Sequence, residues 1–399
     1  MRRVFGIKFL VLLLVLSTLL SLTSCMAFWL EQIGYDQMFE YTEFEDGYEI
    51  KGTPFIVGVM MSKKKFENMV LEIPSEYNGK PIVAIADEAF LGNVYLNKVI
   101  IPDTVRVIGN GAFSDCMTLF ECNIPSSVTV IGDAAFKNCS YLKVSIPEGV
   151  TTIGTEAFYH TMIYDEKGLF PDVFDFVMDT SIFIRTELNE LRIPSTVTSI
   201  GEGAFGCTTS IVKFDVDENN PAYKSIDGVL YTKDGKNLLQ YPLASSALRY
   251  SLSDDVENIG NYAFAEADHL ENINISENSS LKRVGIFAFT SCDLLERFDF
   301  PASLESIGEQ AIAYCNSLQT CVIGSSDVAL GDKLWLWSTE LKEIHYAGTV
   351  NQMKKYLDAQ DFGHSSMKSV RISCSNGYIT FYGDSYTEFI MPEIPNIEN

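Results

Sequence analysis

A pattern of apolar and small residues returns after 23 residues, and this period limits the possible folds more than any other feature of the chain. Between Ile101 and Cys139 the pattern I-P-x-x-V-x-x-I-G-x-x-A-F-x-x-C occurs twice in succession. A unit this short cannot bury its apolar face by itself, so such units stack on one another. The period therefore predicts a solenoid.

The isoleucine of the Ile-Gly pair marks the phase of each unit. The marker recurs at steps of 22 to 25 residues, with one longer step of 59. The units at Val177 and Leu330 depart from the pattern at the Ala-Phe positions but keep its spacing, and we count both as degenerate units. The sequence predicts a mainly β solenoid of about 10–11 units. The markers are Ile85, Ile108, Ile131, Ile153, Val177, Ile200, Ile259, Val284, Ile307 and Leu330.

The step of 59 residues contains a segment with a pattern of its own. Asp227-Gly228 and Asp234-Gly235 flank the alternating residues Val229-Leu230-Tyr231. Asp-Gly next to alternating apolar residues indicates a β-hairpin. We therefore predict a hairpin inserted into the solenoid at residues 217–246.

Each position of the unit has a predicted place. The spacing of Leu96, Val99 and Ile101 predicts a strand with inward apolar side chains, which ends at the proline that follows. Val-x-x-Ile-Gly predicts a second short strand, and Ala-Phe-x-x-Cys places an aromatic ring and a small residue in the interior. Cysteines that recur at the period, such as Cys116 and Cys139, would stack about 4.8 Å apart with parallel side chains. This geometry does not suit a disulfide, and we predict buried free thiols.

Composition supports a folded, acidic protein. The chain has 399 residues, of which 47% are hydrophobic, and a formal net charge of −24. A repeat array grows along one axis, so we predict one elongated domain despite this length. Nucleic acid and anionic lipid both require a basic surface, so the charge argues against either as a partner.

The first residues are typical of a targeting segment. Arg2, Arg3 and Lys8 precede an apolar run that ends at Leu22, three residues before Cys25. Small residues before a single cysteine resemble a bacterial lipobox, which implies cleavage before Cys25 and a diacylglycerol on its thiol. The alternatives are an ordinary signal peptide with an incidental cysteine and an uncleaved membrane helix, for which the run is short. We expect a lipid-anchored protein on the extracellular side of the cell membrane.

The remaining boundaries follow from the repeat. We predict a lipoprotein signal peptide at 1–24, a linker at 25–45, an N-terminal cap at 46–84 and the solenoid at 85–346. A C-terminal α/β cap at 347–386 would contain a helix capped by Thr349 and a hairpin with Asn376-Gly377 as its turn. Such caps cover the core and the unpaired strand edges at the ends of a solenoid. Residues 387–399 are predicted to be a tail.

Motifs for catalysis or metal binding are weak. The four histidines form no cluster with metal-ligand spacing, and Ser62-x-x-Lys65 lacks the partner elements of a serine hydrolase. Asp215, Asp217 and Glu218 could hold calcium, but a turn is the simpler interpretation. We predict no catalytic residue, no cofactor and no metal.

The repeat resembles the BspA-like branch of bacterial leucine-rich repeat proteins, whose pattern is close to IPxxVxxIGxxAFxxCxxL. The resemblance covers residues 69–382, and the sequences YKSIDGVLYTKDGKNLLQYP and IHYAGTVNQMKKY are also similar to pieces of that family. It implies a leucine-rich-repeat solenoid with a role in adhesion or envelope association. Several units depart from the cysteine pattern, at Thr161, Arg185, Thr208, Ala267 and Ser338.

Our leading hypothesis is a non-enzymatic surface lipoprotein that binds a protein or host-surface ligand. The alternatives are a structural envelope scaffold and an enzyme or glycan-processing module, the last requiring paired carboxylates near Asp227 and Asp234. A binding face would use the outward positions of the Leu-x-x-Φ-x-Ile strands. These positions are Lys98, Glu121, Asn123, Lys143, Glu190, Arg192, Lys213, Asp215, Asn272, Asn274, Arg297, Asp299, Glu343 and His345.

Overall fold

The computed structural model describes residues 39–52, 69–94, 96–139, 142–161, 163–164, 189–360, 369–382 and 385–391. These residues contain thirty β-strands and one α-helix, and the predicted mainly β solenoid is confirmed. The predicted signal peptide, Cys25, the Ser62-x-x-Lys65 motif and the marker Val177 lie outside the described residues.

The strands of the first half run from the N-terminal end to β15, in the first part of the 59-residue step. They are β1 (Tyr41–Phe44), β2 (Gly47–Ile50), β3 (Met69–Glu72), β4 (Glu76–Tyr77), β5 (Lys80–Ile85), β6 (Leu96–Ile100), β7 (Val107–Ile108), β8 (Glu121–Asn123), β9 (Val130–Ile131), β10 (Leu142–Lys143), β11 (Thr152–Ile153), β12 (Ile163–Tyr164), β13 (Asn189–Ile193), β14 (Ser199–Ile200) and β15 (Ile211–Val216).

The second half contains the remaining strands and the helix. They are β16 (Tyr223–Ile226), β17 (Val229–Thr232), β18 (Asn237–Gln240), β19 (Arg249–Ser251), β20 (Asn258–Ile259), β21 (Asn272–Asn274), β22 (Arg283–Val284), β23 (Arg297–Phe300), β24 (Ser306–Ile307), β25 (Thr320–Ile323), β26 (Ala329–Leu330), β27 (Glu343–Tyr346), α1 (Val350–Ala359), β28 (Val370–Cys374), β29 (Gly377–Tyr382) and β30 (Ser385–Ile390).

Each regular unit contributes one strand to each of two sides of the solenoid. On the Ile-Gly side, which holds the marker isoleucines, the strands form two sheets with the orders β1-β2-β5-β7-β9-β11-β14 and β16-β17-β18-β20-β22-β24-β26. On the Ile-Pro side they form four sheets: β12-β10-β8-β6-β3, β13-β15, β19-β21 and β23-β25-β27-β28-β29-β30. Successive units pair in parallel, and Ile108 lies opposite Ile131.

The third side of each unit, the turn side, consists of two consecutive turns. Along it, backbone N–H groups alternately bond within the unit and to the next unit: Ala112 N donates to Gly109 O at 3.3 Å, and Phe113 N donates to Ala135 O at 2.8 Å. The alternation places a left-handed residue in each turn, such as Gly111 and Asp115, both with φ of 59°. Left-handed conformations of non-glycine residues cost free energy, and the bonds between units offset that cost.

Aromatic rings stack through the interior, as the Ala-Phe positions predict. The Phe113 and Phe136 rings lie 5.3 Å apart, nearly parallel, and both residues are fully buried. The same stacking joins Phe136 to Phe158 at 5.3 Å. Burying a phenylalanine side chain contributes roughly 1.5–3 kcal/mol, so this column is a main source of stability.

The degenerate unit predicted at Val177 falls on residues outside the described part of the chain. β11 pairs directly with β14, with Ile153 opposite Ile200, and the Phe158 and Phe205 rings stack at 5.8 Å. The unit of Ile200 therefore follows the unit of Ile153. The spacing suggested a repeat because two periods of chain separate the two markers. The degenerate unit at Leu330 is confirmed, since Ile307 pairs with Leu330 and Trp335 is buried at the aromatic position.

The 59-residue step contains more than a hairpin. β16, β17 and β18 form a three-stranded antiparallel meander, with a turn at Asp227-Gly228. β18 then pairs in parallel with β20, so that Leu238 lies opposite Ile259 as a marker residue would. Tyr241 completes the unit by stacking on Phe264 at 4.9 Å. We call the segment from β14 to β20 the junction, because the Ile-Gly sheets and the two buried clusters of the core divide there.

The ends of the solenoid carry hairpins and the helix. β1 and β2 pair around a turn at Glu45-Asp46. α1 begins after Thr349, whose hydroxyl accepts from Gln352 N in a capping box, and it buries Val350 and Met353. The predicted tail at 387–399 is wrong for its first residues, because β30 pairs antiparallel with β29.

Candidate interaction surface

The residues predicted for the binding face all lie on strands of the Ile-Pro side. Strand alternation places their neighbours inward: Val99 and Phe298 are buried, whereas Arg297 and Glu343 are exposed. The inward alternation is therefore confirmed; whether the outward residues bind anything stays a prediction. Among the main candidates for this face, Lys98 and Glu121 are half-buried and the others are exposed: Asn123, Glu190, Arg192, Lys213, Asn272, Arg297, Asp299, Glu343 and His345.

These residues do not form one continuous sheet. Lys98 and Glu121 belong to the five-stranded sheet, and Glu190 and Lys213 belong to the two-stranded β13-β15 sheet. Asn123 also lies on the five-stranded sheet, Arg192 on the β13-β15 sheet and Asn272 on the second two-stranded sheet. The six-stranded sheet carries the other four, Arg297, Asp299, Glu343 and His345. The largest continuous part of the face is thus at the C-terminal end.

Charges on the face pair with one another across or along the strands. Lys98 Nζ lies 2.7 Å from Glu121 Oε1, and Lys213 Nζ lies 2.7 Å from Glu190 Oε1. Arg297 Nε donates to Asp299 Oδ2 at 2.7 Å within one strand. Exposed pairs of this kind contribute little to stability, typically under about 1 kcal/mol. The face therefore presents both signs of charge in alternation.

Asn123 has a structural role that its outward position on the strand did not predict. Its Oδ1 accepts from Ile101 N at 2.9 Å, and its Nδ2 donates to Ile101 O at 3.2 Å. The amide therefore satisfies the backbone just beyond the end of β6, before Pro102. These two bonds engage the amide that a ligand would need, so Asn123 is better explained as part of the fold.

The acidic residues before the meander form a turn. Asp217 Oδ1 accepts from Asn219 N at 2.9 Å, and Asp217 Oδ2 accepts from Arg192 at 3.0 Å. Hydrogen bonds from the Asn219 backbone, from the Asn219 side chain and from Arg192 lower the pKa of Asp217. Among the described residues, no group of three His, Cys, Asp or Glu side chains could hold a metal ion.

Asp227 and Asp234 lie in turns at opposite ends of β17. The strand has four residues and therefore spans roughly 13 Å. Asp234 Oδ1 accepts from Thr232 Oγ1 at 2.6 Å and from Lys236 N at 3.0 Å, which is the role of an acidic residue in a turn. The paired-carboxylate hypothesis requires the two groups to be closer than this, so it gains no support here.

The cysteine position of the repeat supplies a hydrogen-bond donor. Cys116 Sγ donates to Phe90 O at 3.2 Å, and Cys139 Sγ donates to Phe113 O at 3.2 Å. In other units Thr161 Oγ1 donates to Phe136 O at 2.6 Å, and Ser338 Oγ donates to Ile312 O at 3.0 Å. The position thus selects a small donor that reaches the preceding unit, a role missed when it is treated as simply apolar.

Burial controls the chemistry of these thiols. The eight described cysteines are free, and all except Cys374 are buried. Desolvation raises the pKa of Cys116 to about 12 and that of Cys315 to about 12. Because the thiolate is the reactive form, these groups are inert near neutral pH.

One cation of the face falls beyond the repeat pattern. Arg371 on β28 lies opposite Glu343, in the row that also contains Arg297 and Thr320. Its guanidinium lies 4.4 Å from the centre of the Tyr378 ring. The pattern ends at Tyr346, so no repeat spacing identified Arg371; the Val-Arg-Ile alternation was the available signal.

In the part of the chain that the structure describes, no helix has both the length and the apolar character needed to cross a membrane.

Comparison with known proteins identifies relatives of the whole solenoid. The profile described as "BspA type Leucine rich repeat region" matches six copies, over residues 62–169, 176–227 and 246–389. No protein of curated function matches the sequence.

Solved bacterial structures have the same fold. The pneumococcal vaccine antigen PcpA matches with a TM-score of 0.62 and 19% identity, over 85% of this chain and 86% of that chain. A leucine-rich repeat protein from Eubacterium ventriosum matches with a TM-score of 0.59 and 21% identity, over 78% of this chain and 77% of that chain. One from Bacteroides ovatus has a TM-score of 0.50 and 23% identity, over 84% and 75%.

Proposed function

The chain belongs to the BspA-type leucine-rich repeat family, and from this premise we propose that it is a surface-anchored interaction protein that binds a protein or host-surface ligand. Binding would use the Ile-Pro side and would be distributed over several units, because a solenoid offers a long surface and no deep catalytic cleft. The proposal is non-enzymatic and requires no cofactor.

The observation that carries the proposal is the outward surface of the six-stranded sheet. One row contains Arg297, Thr320, Glu343 and Arg371 on adjacent strands. Exposed, mixed charges that the core does not require suit electrostatic complementarity with a partner, which governs specificity and association rate. The neighbouring row, with Asp299 and His345, widens the same surface.

The anchor is the second part of the proposal. Cys25, with diacylglycerol on its thiol, would be the first residue of the mature protein and would hold the solenoid on the extracellular side of the cell membrane. Intact-mass analysis of the protein from its native cells should find a lipidated N-terminal Cys25. A mature chain that retains Met1 would contradict the localisation.

Charge reversal on the six-stranded sheet tests the binding surface. We expect R297E together with R371E to reduce cross-linking of the protein to its ligand on intact cells at least tenfold. The new carboxylates would repel the acidic groups of the ligand with which the two arginines would pair. K333E, on the exposed turn side, is the matched control and should leave cross-linking unchanged. Equal cross-linking by both variants would remove the Ile-Pro side from consideration. Recovery of envelope neighbours only would instead support a structural scaffold.

A further inference from the structure

β30 is the outermost strand of the six-stranded sheet on the Ile-Pro side. It pairs antiparallel with β29 from Ser385 to Ile390 without a break in register, and β29 is its only partner strand within the described ranges. Met391 N also donates to Asn376 O at 2.8 Å, which extends the same ladder by one pair. The sheet therefore ends at the edge of β30 that faces away from β29, which we call the outer edge.

Strand alternation determines which backbone groups lie on the outer edge. In an antiparallel pair, successive residues direct their N–H and C=O groups alternately toward the partner strand and away from it. Met391 bonds toward β29, so Ile390, Glu388 and Tyr386 direct their backbone groups outward. None of these groups bonds to a residue that the structure describes. The outer edge thus presents the donors and acceptors that another antiparallel strand requires.

The outer edge lacks the features that prevent strand pairing in soluble proteins. Natural edge strands are short or bulged, or they carry lysine or proline. β30 has six residues, an unbroken register and the sequence SYTEFI, which contains neither lysine nor proline. Its one charged side chain, that of Glu388, lies 3.1 Å from Lys354 Nζ of α1, so this charge is already paired. An edge of this kind is a template for another strand.

Exposed apolar side chains lie at the same place. Phe389, Ile390 and Met391 are 46%, 44% and 51% exposed, and no other large apolar side chains with such exposure are consecutive in the described sequence. Scattered exposed apolar residues are ordinary, but a contiguous group marks an interaction site. The Phe389 ring also stacks on Tyr378, the ring that Arg371 contacts, with 5.2 Å between the ring centres. The apolar group therefore reaches the outward surface of the sheet.

A second copy of the chain can satisfy the outer edge completely. Two β30 strands related by a two-fold axis run antiparallel, so the outward N–H groups of each copy meet outward C=O groups of the other. Each copy also brings its own ion pair between Glu388 and Lys354, so the two carboxylates do not meet as unpaired charges. The second copy is the one partner whose matching edge is present in this structure.

We propose that the protein forms a two-fold dimer in which the outer edges of two β30 strands pair antiparallel. The six-stranded sheets of the two copies then form one continuous sheet. A two-fold axis perpendicular to this sheet places Arg371 of both copies on the same face. The dimer does not depend on the proposed ligand binding, because β30 contains neither Arg297 nor Arg371.

Sedimentation equilibrium of the full-length protein in a density-matched detergent tests the proposal. The detergent keeps a lipidated chain in solution without adding to its buoyant mass. We expect a monomer–dimer equilibrium with a dissociation constant below about 100 μM, which suits a small interface. A protein that stays monomeric up to about 200 μM would overturn the proposal.

Proline at position 388 separates the pairing of two copies from the fold of one. E388P removes an N–H that points outward and leaves the bonds to β29 in place, so it should raise the dissociation constant about tenfold. E388A retains this N–H and is the matched control, which should change the constant less than about threefold. Equal weakening by both variants would show that the side chain holds the dimer, and the edge pairing would be wrong.

Lysine at the outer edge gives a second test that does not use proline. I390K places a charge where natural edge strands carry one and should also raise the dissociation constant about tenfold. M117K, at a site on the turn side that is 55% exposed, should have no effect. Thermal melting checks the fold of each variant, and I390K decides the question if E388P unfolds. Association that a folded E388P or I390K leaves unchanged would overturn the proposal.

Discussion

The regular stretch from β5 to β11 and the junction differ in how chain length relates to position in the stack. Between Ile85 and Ile153, each step of 22 or 23 residues adds one Ile-Gly strand. The 47 residues from Ile153 to Ile200 also add only one, whereas the 59 residues to Ile259 contain the additional strand of Leu238. The spacing of markers in the sequence gives the length of chain between two units, whereas the hydrogen-bond register shows which strands are neighbours in the sheet. The two agree only where every unit has the same path.

The largest expected effect comes from alkaline pH, which tests whether both regions depend on neutral thiols. Burial raises the pKa of Cys116 in the regular stretch and of Cys207 at the junction, each to about 12. A raised pKa stabilises the fold below the unfolded-state value near 8.5, and this contribution is lost as pH rises toward 12. Each thiol should lower the free energy of unfolding by about 1.4 kcal/mol per pH unit above roughly pH 9. Urea unfolding at pH 7, 9 and 10.5 measures the slope, and equal stability at all three would contradict it.

Truncation of marker residues asks whether β18 is as much a part of the stack as β9. We expect I131A and L238A to destabilise the protein equally, each by about 2–5 kcal/mol, because both side chains are fully buried. L248A, at a site that is 50% exposed, should cost far less. Chemical denaturation gives the three values. A small loss in the free energy of unfolding for L238A would indicate that the meander is a peripheral hairpin and not part of the stack.

Alanine at the marker glycines probes how tightly neighbouring units approach. A Cβ on Gly154 would lie 2.5 Å from Asp133 N, whereas one on Gly260 would lie 3.1 Å from Leu239 O. We expect G154A to cost about 1–3 kcal/mol through overpacking, and G260A to cost less. Comparison of their melting temperatures tests this, and a larger loss for G260A would show that the junction is the more tightly packed region.

The smallest effect is expected at the donor position of the regular units. C139A removes the bond to Phe113 O and should cost about 0.5–1.5 kcal/mol. C139T should recover most of that loss, because Thr161 makes the equivalent bond in the next unit. Equal stability of C139A and C139T in urea would mean that the position selects for size alone.

Much of the fold was predictable because it depends on local residues. The aromatic column followed from Ala-Phe at a fixed spacing, and the start of α1 followed from Thr349 as its cap. The direct pairing of β11 with β14 did not follow, since the two periods of chain between Ile153 and Ile200 predicted an intervening marker at Val177. β30 was also missed, because its pairing with β29 lies beyond the repeat.

The candidate surfaces were less predictable. Strand alternation identified the outward positions, but it could not show that Asn123 binds the backbone at Ile101 or that Lys98 pairs with Glu121. The donor role of the cysteine position had a signal in Thr161 and Ser338, which share a hydroxyl. A cavity at the junction, which is lined by the unit of Ile200 and by β18, β20 and β22, had no such signal, because strands far apart in the sequence form it.

The turn side has a consequence for the electrical character of the whole molecule. There, N–H groups point toward the following unit, as Phe113 N does toward Ala135 O, whereas on the Ile-Gly side Gly132 N points back toward Ile108 O. The peptide dipoles of these bonds oppose each other on the two sides, so they do not add up along the array as they do along an α-helix. A cap at either end of the solenoid must therefore provide both hydrogen-bond donors and hydrogen-bond acceptors. At the C-terminal end α1 does this with Tyr356, whose hydroxyl donates to Gly331 O and accepts from Leu334 N.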